Sequence, residues 1–179
     1  MKTYIALLRG INVSGKKKIK MADLKEYLSE LNFQEIQTYI QSGNIIFKFP
    51  KRAVQDLEKK IHEKIKEKYD FEVPVIIKTA EELTLILNSI PFQDIDVSKL
   101  YFTLLSQKPK QELIKKLKEV DYSPEEYHID NKVIYFYAVN GYGRAKMNTN
   151  FFERKLKVQA TTRNWKTTNK LLEMACIRE

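Results

Sequence analysis

The chain has 179 residues, 43% hydrophobic and 31% charged, with five glycines, five prolines and a formal net charge of +9. Those proportions exclude a disordered or fibrous chain and leave a globular protein of one large or two small domains; no apolar run approaches the roughly 20 residues of a membrane helix. A lone cysteine, Cys176, excludes an internal disulfide and a thiolate zinc cage, and two histidines, His62 and His128, add little metal-binding capacity, so neither metal nor cofactor is expected.

Tyr4 to Leu8 reads as a buried strand, too short for a signal-peptide core, and the cytoplasm is the expected location. Met21, Leu24, Leu28 and Leu31 then recur at helical spacing, with Asp23 in the first turn to suit the helix dipole. Ile36–Ile40 and Ile45–Phe49 are two short strands joined by the hairpin residues Ser42-Gly43-Asn44, where Gly43 supplies a positive backbone angle. Val54, Leu57, Ile61 and Ile65 form the stripe of a long helix. Val73–Lys78 is the next strand, and Thr79 with Glu82 makes a capping box for a short helix that Pro91 ends.

The second half repeats this grammar. Tyr101–Ser106 is a strand; Pro109 opens a helix with Leu113, Ile114 and Leu117 inward; Tyr127–Ile129 and Val133–Val139 flank the turn pair Asp130-Asn131. Phe151–Leu156 is a short helix, Val158–Thr161 a closing strand, and Trp165–Ala175 a last helix. Two runs of β-α-β-β-α-β give an α+β protein of two tandem ferredoxin-like subdomains, antiparallel sheets with helices on one face. The halves are expected at residues 1–92 and 98–179, separated where Pro91, Gln93, Asp94 and Asp96 interrupt the apolar pattern.

Three sequence signatures stand out: Arg9-Gly10-Ile11-Asn12-Val13 followed by Lys20-Met21-Ala22-Asp23-Leu24; Thr38-Tyr39-Ile40-Gln41-Ser42-Gly43-Asn44; and Ala160-Thr161-Thr162-Arg163-Asn164-Trp165. In this order they resemble the bacterial family catalogued as domain of unknown function 1697. The chain departs from it at Ser14, where a second glycine is usual, and at Lys166, where asparagine is common. The resemblance implies a two-part α+β fold and no established reaction.

Positive charge is concentrated in two segments. Arg9–Lys20 carries five basic residues and no acid, and Asn140–Lys170 carries eight against the single acid Glu153. Such clustering, among Gly, Asn, Ser and Thr, suits an anionic ligand. Gly10 to Lys17 nearly satisfies a phosphate-binding loop, but Lys17 stands where a Ser or Thr hydroxyl would hold magnesium and the helix starts near Met21. The alternatives are a flexible, amide-rich anion loop or a solvated connection in which Asn12 supports turn geometry. An RNA-recognition face fails on sequence, since Asn44 and Ile46 occupy the third-strand positions that need stacking aromatics. In the second segment Gly141 and Gly143 permit close backbone approach beside Arg144 and Lys146; Asn148, Thr149 or Asn150 would cap the following helix or leave its amides open to an anion. Thr161 to Trp165 offers a second such helix start, with Trp165 either packed or stacking.

Nothing local activates a nucleophile: His62 lies among solvated charges, His128 in a strand beside Asp130, and Cys176 near the end. The expected function is therefore non-enzymatic binding of a phosphate-bearing ligand, a nucleic acid or nucleotide. Its candidate residues are Arg9, Asn12, Lys16, Lys17, Lys18, Ser42, Asn44, Tyr142, Arg144, Lys146, Arg163 and Asn164. The alternatives are an enzyme acting on an anionic metabolite in a cleft between the halves and a docking module for an acidic protein.

Overall fold

A computed structural model describes residues 1–177. The chain divides into two compact units, Met1–Leu85 with the segment from Lys170 onward, and Ile86–Asn169.

In the first unit, β1 (Lys2–Leu8), α1 (Met21–Ser29), β2 (Gln34–Tyr39), β3 (Asn44–Phe49), α2 (Val54–Tyr69) and β4 (Val75–Thr79) follow one another and lead into α3 (Ala80–Asn88). The sheet runs β2-β3-β1-β4 with every neighbour antiparallel. Alternation along the strands decides what is packed where. Tyr4, Ala6 and Leu8 of β1, Ile45 and Phe47 of β3, and Val75 and Ile77 of β4 share a core with Leu24 and Leu28 of α1 and Leu57, Ile61 and Ile65 of α2. The other row, Ile5, Leu7, Ile46 and Ile76, is buried as well. The edge strand β2 is protected: its register shifts between Gln34 and Gln37, Glu35 has φ +50°, and its carboxylate pairs with Lys48 at 3.1 Å. The Thr79–Glu82 capping box forms in both directions, Thr79 N donating to Glu82 at 3.0 Å and Glu82 N to Thr79 Oγ1 at 3.3 Å.

The second unit contains β5 (Leu100–Leu105), α4 (Gln111–Lys118), β6 (Glu126–Asp130), β7 (Val133–Tyr137), α5 (Thr149–Leu156) and β8 (Ala160–Asn164), which runs directly into α6 (Trp165–Cys176). Its sheet order is β6-β7-β5-β8, again antiparallel throughout. Leu105, Ile134, Phe136 and Ala160 pack with Ile114 and Leu117 of α4 and Phe151, Phe152 and Leu156 of α5. Six helices and two four-stranded antiparallel sheets thus make an α+β protein among the described residues.

Most strand ends differ from expectation by one or two residues, and three boundaries in the second unit move with a clear cause or consequence. α4 starts at Gln111, with Pro109 outside it and Lys110 still extended at ψ 137°. Asp130 pairs with Val133, so the β6–β7 turn pair is Asn131-Lys132, with Asn131 at φ +49°. β8 begins at Ala160, two residues later than expected, because Lys157 ends α5 in the left-handed conformation and the Glu153 carboxylate takes the Ala160 amide at 2.9 Å. That shift carries Arg163 and Asn164 into the strand.

Candidate functional site

The first basic segment is an ordered loop fixed chiefly by one side chain. Asn12, itself at φ +55°, donates from Nδ2 to the carbonyls of Ile19 (2.9 Å) and Gln41 (2.8 Å), and its Oδ1 accepts from Ile19 N at 2.9 Å. All three bonds serve the loop and tie it to the β2–β3 turn. Inside that frame Val13 and Lys16 form a β-bridge, Lys16 N donating to Val13 O at 3.0 Å, with Ser14 and Gly15 at φ +50° and +73°. Two consecutive positive φ values are what a type I′ hairpin turn requires. The near-match to a phosphate-binding loop is thereby resolved against it: the segment is a tight hairpin, and α1 begins only at Met21 after an extended Lys20.

The cations of this loop fall into different roles. Lys17 donates to the Glu72 carbonyl at 2.6 Å and lies over the Phe71 ring at 5.9 Å, so its ammonium helps pin the hairpin. Lys16 and Lys18 on either side are exposed, as are Lys20 and the apolar Val13. Arg9 is half-buried where its amide donates to Pro74 O at 2.9 Å.

The β2–β3 turn completes this end of the sheet. Asn44 is 0% exposed and donates to Tyr39 O (2.9 Å) and Ser42 Oγ (3.0 Å), so it and Ser42 shape the turn from within. Gly43 has φ +76°, as its hairpin role demands, and packing also requires it, because a Cβ there would sit 2.6 Å from Leu8 Cβ. Asn44 and Ile46 are both fully buried, which closes the RNA-recognition positions on this sheet to bases.

In the second unit the loop from Asn140 to Asn148 is also held from within. The Glu125 carboxylate accepts the amides of Lys146 (3.0 Å) and Met147 (3.2 Å), an acceptor that sequence reading missed for want of a local motif. Tyr142 stacks on Tyr101 at 4.5 Å and its hydroxyl joins a chain of hydroxyls: Tyr142 Oη to Thr149 Oγ1 at 2.9 Å, Thr149 to Thr162 at 2.7 Å, Thr162 to Thr103 at 2.8 Å. Register explains this chain, because Thr103 and Thr162 are directly paired across β5 and β8. Arg144 and Lys146 remain exposed.

Both candidate helix starts are capped. Asn148 Oδ1 accepts Phe151 N at 3.0 Å at the head of α5, and Asn164 Oδ1 accepts Thr167 N at 2.8 Å at the head of α6. Arg163 is 9% exposed and donates to Thr161 Oγ1 (2.8 Å) and the Thr162 carbonyl (2.9 Å). Asn164 and Arg163 are therefore engaged in the fold itself, and the indole of Trp165 is half-buried.

His62 donates from Nδ1 to the Val73 carbonyl at 2.9 Å in the tautomer that geometry favours, a tether where a solvated ring was expected. His128 and Cys176 are exposed. Among the described residues no three His, Cys, Asp or Glu side chains gather into a metal-binding group, and no helix is long and apolar enough to cross a membrane. Two open depressions lie outside both basic loops, one of about 420 Å³ beside Lys25 and Phe33 and one of about 590 Å³ beside Phe92 and Tyr122.

Residues 1–135 match the family model described as protein of unknown function (DUF1697), and the chain belongs to that family. No curated protein matches the sequence. Among solved structures, the conserved bacterial protein SP0830 from Streptococcus pneumoniae is similar in fold: TM-score 0.75 at 24% identity, over 97% of this chain and 98% of that one.

Proposed function

We propose that this protein is a non-enzymatic cytoplasmic binder of a phosphate-bearing ligand, a nucleic acid or nucleotide, built as two tandem ferredoxin-like modules bounded near residues 1–92 and 98–179. The strand orders β2-β3-β1-β4 and β6-β7-β5-β8 support the ferredoxin-like reading, since each puts the first and third strands of a β-α-β-β-α-β run at the sheet centre.

The observation that carries the binding reading is how the cations are presented. Lys16 and Lys18 stand exposed on a loop fixed by Asn12, and Arg144 and Lys146 on a loop fixed by Glu125 and by the Tyr142–Thr149 bond. Cations on an ordered loop lose little backbone entropy when an anion binds, and anchored loops distinguish this arrangement from scattered solubilising lysines. Arg163, Asn12, Asn44 and Asn164 support these loops and strands, so direct ligand contact in this reading falls to the exposed cations.

The test is calorimetric titration at low salt with ATP, inorganic polyphosphate and mixed-sequence oligonucleotides. Saturable binding of at least one of them is expected, weakened about tenfold or more by Lys16→Glu/Lys18→Glu/Arg144→Glu/Lys146→Glu. Absence of heat with every probe, or equal affinity in the variant, overturns the reading.

A further inference from the structure

We infer that the ligand of the Val13–Lys18 hairpin is duplex DNA, gripped through its phosphates without sequence preference. The inference rests on the phosphate-binding reading and narrows it by three observations.

The first is the backbone. A mononucleotide is held by a cradle of convergent amides or in a walled pocket. The hairpin turns its chain back on itself through Lys16 N to Val13 O and Asn12 N to Lys17 O (3.2 Å), and the side chains it offers are spread along an exposed tip. A spread of cations on an exposed tip matches a ligand that repeats its charge along a surface.

The second is the aromatic inventory. Single-stranded nucleic acids are bound by stacking bases on exposed rings, at about 1–3 kcal/mol per base. None of the nine phenylalanines, ten tyrosines or the single tryptophan is exposed; each is buried or half-buried. Large apolar side chains that do reach solvent are aliphatic, and Val13 (59% exposed) and Ile40 (50%) are two of them. They lie on the two loops that Asn12 joins. Aliphatic tips beside lysines suit the sugar edges of a groove, where no ring is needed.

The third is shape and rigidity. Closed by the single Val13–Lys16 bridge, the hairpin presents a narrow tip that the wide major groove of B-form DNA admits and the deep, narrow major groove of A-form RNA excludes. Asn12 and the Lys17–Glu72 bond hold the hairpin in place from both sides, leaving Lys16 and Lys18 outward for phosphates. Val13–Lys18 holds no Arg, Asn or Gln, and its lysines meet phosphates as point charges without the fixed fork of a guanidinium, so the grip is expected to show no sequence preference.

Fluorescence anisotropy tests this with two labelled duplexes of unrelated sequence, one of their separated strands, and ATP as competitor, from 50 to 200 mM salt. Both duplexes are expected to bind alike and more tightly than the strand. Lys16→Gln/Lys18→Gln should make the slope of log K against log salt shallower by about 1.8, two phosphate contacts' worth, while Lys115→Gln/Lys116→Gln on α4 should leave it unchanged. All four lysines are exposed, so folding is not at stake. Tighter binding of the single strand, binding of ATP alone, or a slope indifferent to the hairpin pair overturns the duplex inference and leaves the phosphate reading standing. No binding of any probe overturns both.

Discussion

Gly43 and Tyr69 show how differently two residues of one unit respond to a single added or removed group. A methyl at Gly43 would meet Leu8 Cβ at 2.6 Å and Ile11 Cδ1 at 2.8 Å, in a backbone conformation of φ +76° that L-residues disfavour. Strain and overpacking act together, so Gly43→Ala is expected to cost at least about 2 kcal/mol, read as a lower urea midpoint; a loss under about 0.5 kcal/mol would contradict the packing described here. Tyr69 is the reverse case. Its buried hydroxyl has no hydrogen-bond partner among the described residues, although the ring packs edge-on to Tyr27 and stacks on Phe71. Burial, helped by the negative charge of Asp23, pushes its ionisation up to about 12. Deleting an unsatisfied hydroxyl removes a desolvation penalty, so Tyr69→Phe is expected to leave stability unchanged or raise it by up to about 1 kcal/mol at neutral pH. A clear loss would mean that the hydroxyl has a partner.

At the scale of elements, the helix starts carry the clearest prediction. Asn148 and Asn164 each satisfy one otherwise open amide, so Asn148→Ala and Asn164→Ala should each cost about 1 kcal/mol by chemical denaturation. Caps, apolar stripes and turn glycines are local, and that is why most of the fold is legible in the chain: the Thr79–Glu82 box, the Leu57/Ile61/Ile65 stripe and Gly43 each announce themselves within a few residues. What stays hidden depends on partners distant in sequence. Asn12 reads as a turn residue, and that reading is right as far as it goes; its bond to the Gln41 carbonyl, 29 residues away, is what makes the loop rigid. Lys17 reads as one of three equal lysines until Glu72, 55 residues on, claims it. Arg163 reads as a helix-start cation, but the Glu153–Ala160 bond sets the start of β8, and the register of that strand turns the guanidinium into the fold. The candidate site was thus legible in its charge and opaque in its division of labour.

For the whole molecule, the ionisable groups define a window of pH in which the fold is most stable. On the acid side, Glu30 is held below its ordinary 4.5 chiefly by its bond to Lys64, and Glu72 chiefly by Lys66. Asp96 and Asp121 are held below 3.8 chiefly by the hydroxyls of Ser98 and Ser123. A carboxyl whose folded value is depressed binds fewer protons folded than unfolded near that value. Its contribution is present above the ordinary value and is lost as pH falls through the depressed one. On the alkaline side Tyr69 has a raised value, as do Tyr101, Tyr127 and Tyr135, each mainly through burial. Their contribution is complete below the ordinary 10.0 and is lost as pH climbs above it, for Tyr69 toward about 12. Urea midpoints should therefore form a plateau between about pH 5 and 10 and fall on both sides. Net charge also rises in acid from the starting +9, and self-repulsion would lower the acid limb by itself. Lys64→Gln separates the two causes. It reduces positive charge, which eases repulsion, and it removes the larger of the two lysine bonds that depress Glu30, leaving the one from Lys68. Both changes flatten the acid limb at low salt, but only repulsion is abolished by 0.5 M salt, since the Glu30–Lys64 contact at 3.2 Å lies inside the screening length. An acid limb that persists in salt for the parent and shrinks in Lys64→Gln assigns it to the paired carboxylate; a limb that vanishes in salt for both assigns it to net charge.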